Sequence, residues 1–346
     1  MSKTTLKQCQ EQGRVYVIAE AGLNHNGSVE IARKMIDVAV EAGVDAVKFQ
    51  KRTVDTLAIG SVLDAPDDRF PAFGQTYRQV REHIEFDEAD YKGLMAYCQE
   101  KGIDFLCTAF DTDAVDFLEK LDVGLYKLAS HSLTNLALLR YLAPIGKPVI
   151  LSTGMAEWDE IDRAVAIFKE VGTPLYLLHC VSAYPTPVDQ HNLSLIGKLS
   201  QRYGLPVGYS GHEMGYLPSV VAVAMGATLV ERHYTLDRNM VGFDHKISLE
   251  PQDLAAMVRD IRVVESLRGS GEKQVSKQEM ITRHKYHVSM ASTRAIRAGE
   301  CLTEEMITWR NPGDGIPSKE LEKWLGRVLA QDVAADVLIK PEMFKQ

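Results

Sequence analysis

Glu20, Lys48, Gln50, Lys127, Ser130, Ser152, Ser210, His212 and His233 all fall at or beside the ends of short apolar runs. Lys48 and Gln50 close Asp45-Ala-Val-Lys-Phe-Gln50, Lys127 and Ser130 close Leu125-Tyr-Lys-Leu-Ala-Ser130, and Ser152 closes Pro148-Val-Ile-Leu-Ser152. Two lysines and a set of hydroxyls are the chemistry of a bound phosphate or carboxylate. A lysine flanked by apolar residues is predicted to be buried, and a buried ammonium requires an anionic partner. His212 and His233 end consecutive runs, with Glu231 and Asp244 close by in sequence. Two neutral imidazoles so placed can hold one divalent ion and leave positions open for water or substrate. Glu20 ends the first run and can orient a water or a hydroxyl. Asp244, in the loop after the last run, suits sugar hydroxyls, and Tyr184, in Ser182-Ala-Tyr-Pro-Thr-Pro187, offers a ring and a hydroxyl. No GxxxxGK[ST] loop is present, so a nucleotide-triphosphate fold is excluded. A Schiff-base lysine is the rival use of Lys48 or Lys127, and it would not need the histidines. Gly22-Leu-Asn-His-Asn-Gly27 reads equally well as a plain turn.

The elements that would position these groups repeat down the chain. Eight β-branched runs (15–19, 46–49, 104–110, 125–130, 148–152, 175–181, 206–210 and 227–233) are each followed by a helical pattern. They are too apolar to be half-exposed, which suits parallel strands covered by helices. The alternation predicts an α/β fold, a (β/α)8 barrel over residues 1–269, whose C-terminal strand ends open onto one face. Ser28 is the expected N-cap of the first helix, with Ile31, Met35, Val38 and Ala39 on its inner face and Gly43 as its terminator. The last barrel helix, about 251–268, carries the stripe Leu254, Met257, Val258, Ile261, Val264 and Leu267. Residues of about 51–86 form a long polar stretch with the character of a lid or an oligomer contact. Residues 270–285 read as a linker. Residues 286–346 form a small unit with strands around 289–295 and 328–330, too short to build more than a marginal core alone.

Composition narrows the partners. The chain of 346 residues has a formal charge of −8 and no basic stripe, which argues against a nucleic-acid partner. An anionic substrate must therefore be held by local cations. The segment Met1–Lys7 has no apolar core after its lysines and no membrane span stands out, so a cytoplasmic protein is expected. The five cysteines, Cys9, Cys98, Cys107, Cys180 and Cys301, form no CxxC pair and are read as reduced, buried residues.

The motifs also carry a resemblance. Val17-Ile-Ala-Glu-Ala-Gly-Leu-Asn-His-Asn-Gly27, Val47-Lys-Phe-Gln-Lys51, Tyr126-Lys-Leu-Ala-Ser130 and Ile150-Leu-Ser-Thr-Gly-Met155 are similar, in order, to motifs of the sialic acid (nonulosonate) synthase family. Tyr184-Pro-Thr-Pro187, Gly208-Tyr-Ser-Gly-His212, Glu231-Arg-His233 and Asp244-His-Lys-Ile-Ser-Leu-Glu-Pro251 continue that order. The C-terminal unit resembles the family's antifreeze-like (SAF) domain. The resemblance implies a metal-dependent condensation of phosphoenolpyruvate with the open-chain aldehyde of an N-acylated hexose, typically N-acetylmannosamine, with release of phosphate. It implies that His212 and His233 ligate manganese, or magnesium or cobalt in its place. Lys48, Lys127, Ser130, Ser152, Ser182 and Ser210 would hold phosphoenolpyruvate. Glu20 would place a water or support the intermediate, and Gln50, Tyr184, Asp244 and Arg310 would meet the sugar. It also implies a domain-swapped homodimer, in which the C-terminal unit caps the partner's barrel. Three positions depart from the family pattern: Ser132 stands where an acidic residue is frequent, Ser182 where some members have asparagine, and Asn311 where bacterial members carry an arginine, with Arg310 one residue early. Alternatives are a synthase acting on a non-acylated aldose and, from another class, a non-catalytic carbohydrate-binding barrel.

Overall fold

The computed structural model describes residues 6–345. Met1–Thr5, most of the Met1–Lys7 segment read above for a targeting signal, and Gln346 lie outside the described residues. The chain divides into two compact units, Met1–Gly269 and Ser270–Gln346.

In the first unit eight parallel strands close into a barrel: β1 Tyr16–Gly22, β2 Ala46–Lys51, β3 Asp104–Ala109, β4 Tyr126–Leu128, β5 Val149–Ser152, β6 Leu175–Cys180, β7 Val207–Gly211 and β8 Leu229–His233. Pairing of β1 with β8 closes the ring, with Glu20 opposite His233. The period of two along each strand sorts the side chains. Ile18, Ala46, Leu106, Ile150, Leu178 and Leu229 pack together as one cluster that fills the barrel. Their neighbours Val17, Val47, Cys107, Leu151, Leu177 and Val230 join the much larger cluster shared with the surrounding helices. Two residues beyond each interior apolar position the same face carries Glu20, Lys48, Thr108, Ser152, Cys180 and Glu231. The strand pleat therefore delivers polar groups to the C-terminal mouth while the layer beneath stays dry.

The helices follow their local signals. Ser28 caps Val29–Ala42 by accepting the Ile31 amide, and Gly43, at φ 78°, terminates it in the left-handed region. Pro251–Arg268 buries Leu254, Met257, Val258 and Ile261. Its stripe ends early, however, because Leu267 is 76 % exposed. The polar stretch after β2 holds three short helices, Val54–Leu57, Gly60–Leu63 and Tyr77–Ile84. Four cysteines are buried as expected, while Cys301 is exposed. Among the described residues no helix is long and apolar enough to cross a membrane.

The second unit differs from its expected outline. Lys277–Tyr286, in the region read as a linker, is a helix with a capping box between Ser276 and Glu279. Composition missed it because the helix buries none of its residues, so it has no apolar stripe to show. β9 Ser289–Ser292 pairs antiparallel with β10 Ile307–Arg310. The run around Val328 forms only isolated bridges, Cys301 to Val328 and Leu329 to Phe344. Met290, Ile296, Leu302, Leu329, Ile339 and Phe344 are among the residues of its own small core.

Candidate active site

The barrel mouth encloses a cavity of about 220 Å3 lined by Glu20, Lys48, Gln50, Thr108, Lys127, Ser130, Ser152, Ser182, Tyr184, Ser210, His212, Glu231 and His233. Larger hollows elsewhere on the barrel lack this set of groups. The volume lies below the roughly 300–1,000 Å3 of drug-sized sites and suits compact metabolites.

Two buried lysines set the electrostatics. Lys48 Nζ lies 2.7 Å from Glu20 Oε2 and 3.7 Å from Glu231 Oε2, and it donates to Thr108 Oγ1 at 2.8 Å. Lys127 Nζ donates to Ser152 Oγ at 2.8 Å and to its neighbour's carbonyl, Leu128 O, at 3.0 Å, and lies 3.8 Å from the same Glu231 oxygen. Ser210 donates to Glu231 Oε1 at 3.0 Å. Glu231 is thus the shared counter-ion of both lysines, a role the sequence reading did not give it. The requirement that a buried lysine find a carboxylate could have pointed there, since Glu231 is two residues before His233 on the same strand face. Burial alone would raise the Glu231 carboxyl, but Lys127 and Lys48 overcome that and hold it at about 2. Burial works against Lys48, yet Glu20 and Glu231 leave it raised. Lys127 is lowered, chiefly by burial and further by the charge of Lys48. Lys127 is the less compensated cation, and so the better anchor for an incoming anion. Two ammonium groups against two carboxylates leave the pocket without net charge while both imidazoles are neutral.

The histidines sit side by side, with ring centroids 5.5 Å apart. His212 Nδ1 is 2.9 Å from the Val181 carbonyl, which requires the proton on that nitrogen and leaves the Nε2 lone pair free. His233 Nδ1 is buried without a hydrogen-bond partner among the described residues, 3.7 Å from Asp244 Oδ2. Burial lowers both imidazoles, so both are neutral near pH 7 and competent as ligands. Among the described residues no group of three or more His, Cys, Asp or Glu side chains is arranged to hold a metal. The chain offers two imidazoles, and a bound ion would complete its shell from water and substrate, as an open catalytic site does. An orphaned buried nitrogen beside a free lone pair fits that use.

The hydroxyls converge on one wall. Ser130, in a turn just past β4, accepts the Gly154 amide at 3.0 Å. A Cβ on Gly154 would come within 2.8 Å of Ser130 Oγ and 2.5 Å of Ser182 Oγ, so only glycine lets these two hydroxyls and that amide share a corner. Gly154 is a position where this packing requires glycine, visible in the sequence only as part of a motif. Gln50, on the cavity wall, donates to Glu20 Oε1 and accepts from Arg52, so its amide also holds Glu20. Tyr184 is 54 % exposed, and its ring packs 4.1 Å from that of His212. His25 is structural: it stacks on Phe86 at 4.2 Å and accepts the Gly27 amide. Asn24 and Asn26 bond Tyr234 O and Val241 O, tying the first loop to the last. Of the three departures, Ser132 is buried with its hydroxyl unpartnered among the described residues, and Ser182 stays on the pocket wall. Arg310 belongs to the second unit, where it ends β10, 63 % exposed and 3.8 Å from Asp336. Asn311 donates there to Tyr286 O.

The chain is a closed (β/α)8 barrel whose C-terminal rim gathers these groups, followed by a small β unit. The chain belongs to the NeuB family, whose model matches residues 35–273, and residues 288–345 match the SAF domain. Among relatives, it is 36 % identical over 331 residues to the N,N'-diacetyllegionaminic acid synthase of Campylobacter jejuni, covering 94 % of this chain and 99 % of that one. It is likewise 36 % identical over 329 residues to the N-acetylneuraminate-9-phosphate synthase of Mus musculus, covering 94 % and 92 %. A solved N-acetylneuraminic acid (sialic acid) synthetase from Leptospira borgpetersenii is 39 % identical, with a TM-score of 0.67 over 78 % of this chain and 90 % of that one.

Proposed function

We propose that this protein is a nonulosonate synthase, joining phosphoenolpyruvate to the open-chain aldehyde of an N-acyl hexosamine and releasing phosphate. The observation that carries the reading is the juxtaposition of Lys127 with its hydroxyl corner on one wall and two neutral imidazoles on the other. Lys127, Ser130, Ser152 and Ser182 would receive the phosphate and carboxylate of phosphoenolpyruvate, with Lys48 and Ser210 beside them. A substrate this anionic entering a pocket of no net charge favours a divalent ion, manganese first and magnesium or cobalt as alternatives. Held by His212 and His233, it would act as Lewis acid on the aldehyde oxygen. Glu20, fixed by Lys48 and Gln50, is placed to orient water for the carbon from which phosphate departs by C–O cleavage. Tyr184 and Asp244, next to the two imidazoles, face the sugar.

The test is a phosphate-release assay with phosphoenolpyruvate, manganese and a panel of acylated and plain aldoses. Lys127→Met should raise the KM for phosphoenolpyruvate roughly ten-fold or more, the worth of one charge-assisted hydrogen bond, and leave that of the sugar nearly unchanged. The lowered Lys127 also suits a Schiff-base nucleophile. Borohydride trapping of a carbonyl substrate on Lys127 would favour that second reading, and an unmodified Lys127 would dismiss it.

A homodimer in which Arg310 serves the sugar of the partner subunit is part of the proposal. Arg310→Ala is expected to raise the KM of the sugar more than that of phosphoenolpyruvate. A fully active enzyme that sediments as a monomer would remove this element.

A further inference from the structure

Glu213 follows His212 in the chain and Arg232 precedes His233, and both are buried, at 2 % and 0 % exposure. Neither lines the pocket. Glu231 and His233 do, so Arg232 between them points to the opposite face of β8. Arg232 Nη1 donates to Glu213 Oε1 and to Gly215 O at 2.7 Å, and its Nη2 donates to Glu213 O at 2.9 Å. The Glu213 carboxylate also accepts from Ser219 Oγ at 2.7 Å and from the Tyr209 hydroxyl at 3.1 Å. Gly211 makes room for this cluster, since a Cβ there would collide with Glu213 Oε2 and the Tyr209 ring.

The position of the cluster says what it does. The ladder between β7 and β8 ends with Gly211 opposite Arg232, one residue short of both imidazoles. His233 is still paired on its other side, opposite Glu20 of β1. The chain that carries His212 past the ladder is instead gripped by Arg232, through the Glu213 and Gly215 carbonyls. A fully buried ion pair adds little stability over well-packed apolar residues of the same volume. What it does supply is bonds of fixed direction, and a pair of metal-binding rings needs its orientation fixed from outside the first ring of contacts.

We propose that Arg232 and Glu213 are positioning residues, which fix the spacing and orientation of His212 and His233 from behind the barrel wall. The inference rests on the metal element of the synthase reading. Loosening the clamp frees the end of β7, and with it the bond from His212 Nδ1 to the Val181 carbonyl that selects the tautomer of that ring.

The full chain is titrated calorimetrically with manganese and, separately, with phosphoenolpyruvate, as the natural protein and as Glu213→Gln and Tyr209→Phe. Glu213→Gln is expected to weaken manganese binding about ten-fold or more, and Tyr209→Phe, which removes a single hydroxyl, by a smaller factor. Phosphoenolpyruvate binding should change little, because Lys127 and its hydroxyls stand on the other wall. Manganese affinity unchanged in both variants, or manganese and phosphoenolpyruvate weakened alike, overturns the clamp. A second readout needs no metal: nitrogen NMR of labelled histidine reports the ring tautomers. His212 should be one Nδ1–H form in the natural chain and a mixture in Glu213→Gln. If the natural chain binds no manganese, the metal reading fails and the tautomers alone decide the clamp. A mixture in the variants then upholds it, and a single unchanged form overturns it. Should Glu213→Gln not fold, Tyr209→Phe decides by the same two readouts.

Discussion

His212→Ala and His233→Ala should each lower kcat by at least about 10²–10³-fold, the loss typical when a group stabilising developing negative charge is removed. A chelator should silence the natural enzyme, and a divalent ion should restore it. The expectation rests on the orientation of His212, whose Nδ1 is committed to the Val181 carbonyl, and on the unpartnered Nδ1 of His233. Both variants should stay folded, because truncating a neutral imidazole at an open mouth leaves no buried charge behind. Full turnover in chelator, with metal analysis confirming that the protein is stripped, would end the metal reading. Loss of activity together with loss of the circular dichroism melt would mean instead that the histidines are structural.

Glu231→Gln is expected to cost both stability and activity. The substitution keeps the shape of the side chain but leaves Lys48 with Glu20 alone and Lys127 with no carboxylate within 4 Å. Breaking a buried ion pair by removing one partner typically costs about 3–5 kcal/mol, since an uncompensated charge remains inside. Chemical denaturation at pH 7 should show a loss of this order. The sign with pH follows from the depressed carboxyl. Its ordinary value is 4.5 and its folded value about 2, so its contribution is fully present above about pH 4.5 and is lost as pH falls through about 2. The stability gap between the natural chain and Glu231→Gln should therefore be constant above pH 5 and close in acid. A variant as stable as the natural chain at pH 7 would show that the lysines find other compensation.

The sequence by itself determined the repeating βα pattern, the strand ends and the residue types gathered there, because each is a local property. Runs such as Ala46-Val-Lys-Phe49 state their own burial, Ser28 and Gly43 state their own caps, and a lysine inside an apolar run announces the need for a partner. The barrel then follows from alternation alone, since parallel strands with helices on the outside have few closed solutions. Tertiary structure decided what pairs with what. Glu231 became the counter-ion of both lysines because β8 closes against β7 and β1 across the ring, a contact no local pattern encodes. Gln50 was drawn to Glu20 and Arg52 rather than left open, and the chain around Lys277–Tyr286 became a helix with no buried face to betray it.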